Sequence, residues 1–379
     1  MAQTISATKK EAIPLLDLKG QYDANRGEIR EAIDRVCESQ HFIMGPEVEA
    51  CEREVAAYSG CTHGIGMTSG TDALLCAMMA MNIGHGDEVI APSFTFFATG
   101  GCVARLHARP VFVDCDPETF NTNAELIEQH ITPKTKLIIP VHLFGQCADM
   151  TGIMKLAKSR GIAVMEDAAQ SIGSSHRGKK SCSMGDLGTL SFFPSKNLGC
   201  FGDGGMIVTN DDALAKGCRL MRNHGAEPKY YHKFVGGNFR LDALQAAIVR
   251  VKLPHLDGWS DARRANARRY DELFKGSSVK TPKILDGNDS IYNQYVIRVP
   301  KRDALRKHLT EEGIGSEVYY PVPLHMQECF AYLGGKRGDL PNCEKAADEV
   351  LAIPVYPELK PAQQERIVET IRSFYGEQR

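Results

Sequence analysis

No two of the twelve cysteines in this chain are spaced as C-x-x-C, which excludes a zinc ribbon or a thioredoxin-like site. They are scattered singly, so free thiols and a reducing compartment are expected, and no metal site. Net charge is nearly absent, at -2. No overall basic field therefore draws the chain to nucleic acid or to an anionic membrane. No apolar run is long enough to span a bilayer. The opening stretch MAQTISATKKEAIP is polar and lacks the apolar core of a signal peptide. A cytoplasmic protein is expected, and the sequon Asn288-Asp289-Ser290 is expected to be unglycosylated. G-x-S-x-G and H-E-x-x-H are missing, and with them the local signatures of serine hydrolases and zincins. No internal repeat or low-complexity segment stands out.

What is present is a soluble, enzyme-sized composition, 43% hydrophobic and 24% charged over 379 residues, enough for one large domain and a smaller one. Ile29, Ile33 and Val36 fall at helical spacing between Tyr22 and Gln40. Short β-branched runs then alternate with helical text, starting at His63, Asp87, Pro110, Lys136, Ala163, Gly188 and Gly204. Near-continuous apolar strands separated by helices predict an α/β fold, a mostly parallel seven-stranded sheet covered on both faces. After Asp242 the pattern changes. LDALQAAIVRVKL reads as a helix that Pro254 breaks. A charged helix follows over Asp257 to Phe274, then strand (SIYNQYVIRVP), helix (DALRKHLTEEG) and strand (GSEVYYPVP), with closing helices around Lys345 and Gln364. This predicts a large domain over residues 1–255 and a smaller α+β domain over 256–379.

Two phosphate motifs are nearly present. Gly64 to Gly70 has one residue too many for a dinucleotide fingerprint, and its glycines fall largely inside the strand. GSSHRGKK, from Gly173, matches a Walker A loop up to its lysine, but Lys180 stands where a hydroxyl should bind Mg²⁺.

Three sites carry chemistry in combination. Ser69-Gly70-Thr71 ends an apolar strand and opens a helix, where backbone N–H groups and the helix dipole attract an anion; alone it reads as an ordinary N-cap. Asp167 ends the apolar run from Ile162, at the strand terminus where α/β proteins bind ligands; the plain alternative is a helix cap. Lys196 lies in SFFPSKNLGCFGDGG, beside Phe192, Phe193 and Pro194. Partial desolvation there lowers an amine pKa and leaves a neutral nucleophile for a carbonyl; a snorkelling loop lysine is the plain alternative. Together, and in that order, they suit pyridoxal 5′-phosphate: a helix N-terminus for the phosphate, an anion for the ring nitrogen, a lysine for the aldehyde. Phe94, Phe96 and Phe97 offer a ring face, with at least two of them expected in the core.

SGTDAL, GDEVIAPSFTF, EDAAQSIG, SFFPSKNLG, GDGGMIVTND, GGNFRLDALQAAI and YYPVPLH resemble, in order, the DegT/DnrJ/StrS-type sugar aminotransferases, pyridoxal-phosphate enzymes of the aspartate aminotransferase fold (fold type I). The resemblance runs from IPLLDLKGQYDANRGEIREAID to the C-terminal helices. It implies that Lys196 bonds to the cofactor and that Asp167 partners its ring nitrogen. Gln170 would meet its phenolic oxygen, and Gly70, Thr71 and Ser191 its phosphate. Phe96 would stack on the ring. Asn238 would reach a neighbouring subunit's cofactor, hence a homodimer with shared active sites. Tyr320, His325 and Arg240 would line a sugar-nucleotide pocket. The implied reaction moves an amino group from a donor, glutamate, to a keto-sugar nucleotide, a 3-keto UDP- or dTDP-sugar, in polysaccharide biosynthesis. A regulatory or sensory sugar-nucleotide-binding protein and a related sugar dehydratase are the alternatives. Related 3-dehydratases carry histidine where this chain has Lys196. Tyr319 stands where a uronate user is expected to have histidine.

Overall fold

A computed structural model describes residues 11–377; the polar stretch 1–10, read above for its lack of a signal peptide, lies outside them. All seven predicted runs become strands of one sheet: β1 (His63–Met67), β2 (Glu88–Pro92), β3 (Arg109–Val113), β4 (Thr135–Ile138), β5 (Ala163–Asp167), β8 (Leu187–Ser191) and β9 (Gly205–Thr209). Their order is β1-β9-β8-β5-β4-β2-β3, with β9 antiparallel to both neighbours and the remaining pairs parallel. Side-chain alternation sorts the two faces. Ile65, Met165, Leu187 and Ile207 pack toward helices α3 (Gly70–Ala80), α4 (Phe97–Arg105) and α7 (Asp212–Arg222). Val164, Ile138 and Ile90 face α5 (Ala124–Glu128) and α6 (Met150–Arg160). Met206, Val208 and Leu190 face α1 (Leu18–Ser39), α2 (Pro46–Tyr58) and α8 (Ala243–Lys252).

Helix α1 starts where Asp17 accepts from Lys19 N and Gly20 N, four residues before its predicted start. The Walker-like GSSHRGKK forms a small hairpin, β6 (Ser175–His176) and β7 (Lys179–Lys180), turning through Arg177 and Gly178 at positive φ. A two-residue strand, β10 (Asn288–Asp289), pairs with β6.

Pro254 falls in a single 3-10 turn after α8, and α9 (Leu256–Leu273) follows. A second core gathers α9, β11 (Tyr295–Arg298), α10 (Arg302–Glu311), α11 (Pro341–Glu349), β12 (Val350–Ile353) and α12 (Pro361–Phe374). Ile13, far away in sequence, joins this core and bonds to Gly313 and Gly315. One sequence expectation is corrected here. GSEVYYPVP makes only the single bridge Glu317–Ala352, and the strand paired with β11 is β12. Pro321 and Pro323 lack N–H groups for a ladder, and VLAI, running directly out of α11, supplies the edge instead.

The parallel strands end on one side of the sheet. There the chain continues into Ser69–Gly70 after β1, Phe94–Phe97 after β2, Ala168–Gln170 after β5 and Phe192–Lys196 after β8. In open α/β sheets this is the ligand-binding edge.

Candidate active site

Asp167 is buried at the last position of β5. Its Oδ2 accepts from the Thr99 hydroxyl at 2.8 Å and its Oδ1 from Ala169 N at 3.2 Å. Burial pushes this carboxyl pKa up, against the pull of those two donors and of the Lys196 charge. Lys196 retains some exposure, yet burial of its amine lowers the pKa to about 8, with the Asp167 charge opposing. A buried acid and a lysine thus sense each other across the strand ends, each drawn toward its neutral form by desolvation.

The helix start lies beside them. Ser69 caps α3 through Asp72 N at 3.0 Å. The N–H groups of Gly70 and Thr71, in the first turn, have no intrahelical acceptor. The turn is tightly built. A Cβ at Gly70 would stand 2.8 Å from the Ser191 Cβ, and one at Gly205 would stand 2.5 Å from the Ser69 carbonyl carbon and 2.7 Å from Gly70 N. The last glycine of GDGG is thus there for close main-chain approach, not to cradle an anion. Gly205→Ala is expected to cost about 1–3 kcal/mol in urea unfolding, because backbone cannot give way as a side chain can. A variant as stable as the parent would show that the Ser69–Gly70 turn moves freely.

Gln170 accepts from Phe144 N at 2.8 Å and donates to the Tyr320 hydroxyl at 2.9 Å. This brings a residue 150 positions later over the strand ends. The Tyr320 ring lies 6.1 Å from the ring of Phe96 and 6.3 Å from that of Phe94. Of the three phenylalanines only Phe94 is in the core, 1% exposed; Phe96 is 57% and Phe97 46% exposed. The expectation of two core rings is therefore corrected. Helix α4 begins at Phe97, which leaves Phe96 as an extended N-cap outside the packed layer.

His325 occupies a different setting from Tyr320. Its Nδ1 meets the Ser93 hydroxyl at 2.7 Å and its Nε2 meets Glu344 at 3.2 Å, so both ring nitrogens are engaged within the chain. Arg240 bridges Met67 at the end of β1 and donates to Asn223 at 2.8 Å, while its buried Nε has no partner. Asn238 is exposed, two residues before it.

Sequence reasoning missed three residues around Asp167. Thr99 carries no distinguishing signal within FFATGG. Glu166, next to Asp167 but on the opposite face of β5, is fully buried. It accepts from His142 Nε2 at 2.7 Å, Cys182 N at 2.9 Å, Met184 N at 2.7 Å and Gly185 N at 2.6 Å. Ala148 N donates to His142 Nδ1 at 3.1 Å, which leaves the ring proton on Nε2. Two adjacent acids closing an apolar run were the available signal, since strand geometry sends them to opposite faces.

A family model described as the DegT/DnrJ/EryC1/StrS aminotransferase family matches residues 23–372. A Geobacillus stearothermophilus protein named pleiotropic regulatory protein is 52% identical, over 96% of this chain and 98% of its own. The UDP-N-acetyl-3-dehydro-alpha-D-glucosamine 3-aminotransferase of Acidithiobacillus ferrooxidans is 45% identical, over 96% and 98%. Among solved structures, S. venezuelae DesV in complex with a ketimine intermediate aligns with a TM-score of 0.94 at 39% identity, covering 97% of this chain and all of that one. With its site at the strand ends and a match over nearly its whole length, this chain belongs to the DegT/DnrJ/EryC1/StrS aminotransferase family.

Proposed function

We propose that this chain transfers an amino group from glutamate to a keto-sugar nucleotide, a 3-keto sugar linked to UDP or dTDP, using pyridoxal 5′-phosphate. The observation that carries the reading is that Lys196, on the loop after β8, and the buried carboxyl of Asp167, at the end of β5, stand at the same sheet edge, where each charge acts on the other and burial lowers the lysine pKa to about 8. The residues fit the cofactor: a confined turn with two N–H groups free for a phosphate, an acid for a ring nitrogen, an amine for an aldehyde. When bound, that cofactor supplies a reactive carbonyl and a ring that accepts electron density.

The chain's own groups do the rest. Gly70 and Thr71 N–H and the Ser191 hydroxyl would hold the phosphate. Asp167, oriented by Thr99 and Ala169, would keep a proton on the ring nitrogen. Phe96 would cover a ring face, and Gln170, tied to Tyr320, would meet the phenolic oxygen. Lys196 Nζ would bond to the cofactor's carbonyl at rest and, once freed by the amino donor, would serve as the base that takes the proton from the donor's Cα and as the acid that returns a proton when the sugar is aminated. Tyr320, His325 and Arg240 are assigned to the sugar-nucleotide side, His325 through its anchoring of the 319–325 segment to Ser93.

On this reading the chain divides after residue 255 into a cofactor-holding unit and a smaller unit that lends Tyr320. It works as a homodimer, with Asn238 reaching the second site. Exposed Tyr230, Tyr231, Phe234 and Val235 beside Asn238 support a covered surface there. Light scattering on active protein tests this, and an active monomer would remove the role of Asn238. A cytoplasmic setting suits twelve free thiols, and no described helix is long and apolar enough to cross a membrane.

Purified protein with cofactor, glutamate and a panel of keto-sugar nucleotides tests the reaction. The expected product gains one nitrogen at C3, read by mass and NMR. Binding of a nucleotide sugar without turnover would favour a regulatory protein, in line with the name of the Geobacillus relative. Loss of oxygen from the sugar would favour a dehydratase.

A further inference from the structure

Residues 192–200 form a small closed loop with Lys196 near its tip. Cys200 N donates to the Phe192 carbonyl at 2.8 Å and Lys196 N to the Phe193 carbonyl at 2.8 Å. Gly199 is folded so close that a Cβ there would stand 2.5 Å from the Pro194 carbonyl oxygen. Such a loop can still rock as a body, so what matters is what holds it from outside. Asn197 Nδ2 reaches the Ile291 carbonyl at 3.3 Å. The other two anchors come from α8. Gln245 accepts from Phe201 N at 2.8 Å, and Lys252 Nζ donates to the Gly199 carbonyl at 2.6 Å. Seven residues apart, these two side chains leave the same face of the helix.

Lys252 is the unusual one. It is 2% exposed, and among the described residues no carboxylate pairs with it. Its ammonium also lies 5.1 Å from the centroid of the Phe201 ring. Burial lowers its pKa to about 8. An unpaired buried cation is costly to keep, and a methionine would fill the same space. Beyond that ring contact, the charge makes a short charge-assisted bond to the loop that carries Lys196.

We propose that Lys252 is a positioning residue, which by holding the Gly199 carbonyl fixes the loop and so sets where the Lys196 amine stands. This rests on Lys196 being the reactive amine. Lys252→Met removes the donor at nearly constant volume, and Lys252→Arg keeps a cationic donor. Each is compared with the parent by melting, by kinetics and by labelling. In the labelling, cofactor-free protein is treated with an amine-directed reagent across pH 6–10, and modification of Lys196 is read by peptide mass spectrometry.

Lys252→Met is expected to fold, to lose about tenfold or more in kcat with KM within about twofold, and to show a displaced Lys196 labelling profile. Lys252→Arg is expected to restore both. A folded Met variant with parental kcat and a parental profile overturns the proposal, as does equal loss in both variants. Should the Met variant not fold, the Arg variant decides by labelling alone: a parental profile upholds the assignment and a displaced one overturns it. Labelling needs no substrate, so it reads out even if amino transfer to sugars fails.

Discussion

Lys196→Ala is expected to lower amino transfer by about 10³-fold or more, because in the proposed reaction one side chain serves both as the covalent anchor and as the base and acid that shuttle the Cα proton. The protein is not expected to suffer for it. In the folded chain burial lowers the Lys196 pKa from the ordinary lysine value of 10.5 to about 8. Between those values the unfolded chain holds the proton and the folded chain does not. Burying the ammonium therefore costs stability below about pH 8, and the cost fades as the pH rises toward 10.5. At pH 7 the cofactor-free alanine variant should melt at or above the parent, with the difference shrinking in alkali. Reductive trapping with borohydride should tag Lys196 in the parent and leave the variant unlabelled. A variant within tenfold of the parental rate, or a tag on another side chain, would remove Lys196 from the reaction.

How far the sequence discloses all this depends on distance along the chain. The seven strands of the main sheet were legible because each is a short β-branched run bounded by turns. Strand β12 was not, since VLAIPVY follows α11 without a break, and a short apolar run fits a helix end as well as a strand. Asp167 and Lys196 could be picked out because each closes or follows a strand, where α/β sheets place ligands. Thr99 could not, for nothing local separates it from any threonine in a helix's first turn. The bond from Gln170 to Tyr320 spans 150 residues, and no spacing rule says which distant loop folds over a strand end; only the resemblance pointed to Tyr320. Lys252 reads in AAIVRVK as one more basic residue near a helix end. Its burial follows from the packing of α8 against α1 and α2 and from the arrival of Gly199, none of which is local.

Asp167→Asn is expected to cost about 10²-fold or more in amino transfer, since a neutral amide cannot hold a proton on the ring nitrogen and the site loses its preorganised charge. Here too stability should move the other way. Burial raises the Asp167 pKa, so the folded chain holds that proton to a higher pH than the unfolded chain. The stability this lends at acid pH is lost as the pH rises through the raised value, and near neutrality the bare carboxylate weighs on the cofactor-free fold. Asparagine keeps the shape and one acceptor for Thr99. Without cofactor it should melt at or above the parent near pH 7, and the two should converge in acid. The Lys196 amine provides a second readout, because the Asp167 charge is what opposes its desolvation. With that charge gone, the midpoint of Lys196 labelling should fall below about 8, making the amine neutral sooner even as the reaction stops. A midpoint that stays put would mean the two groups do not sense each other. A lower melting point at every pH would make Asp167 a structural acid, and the assignment of the ring-nitrogen partner would have to pass to another residue.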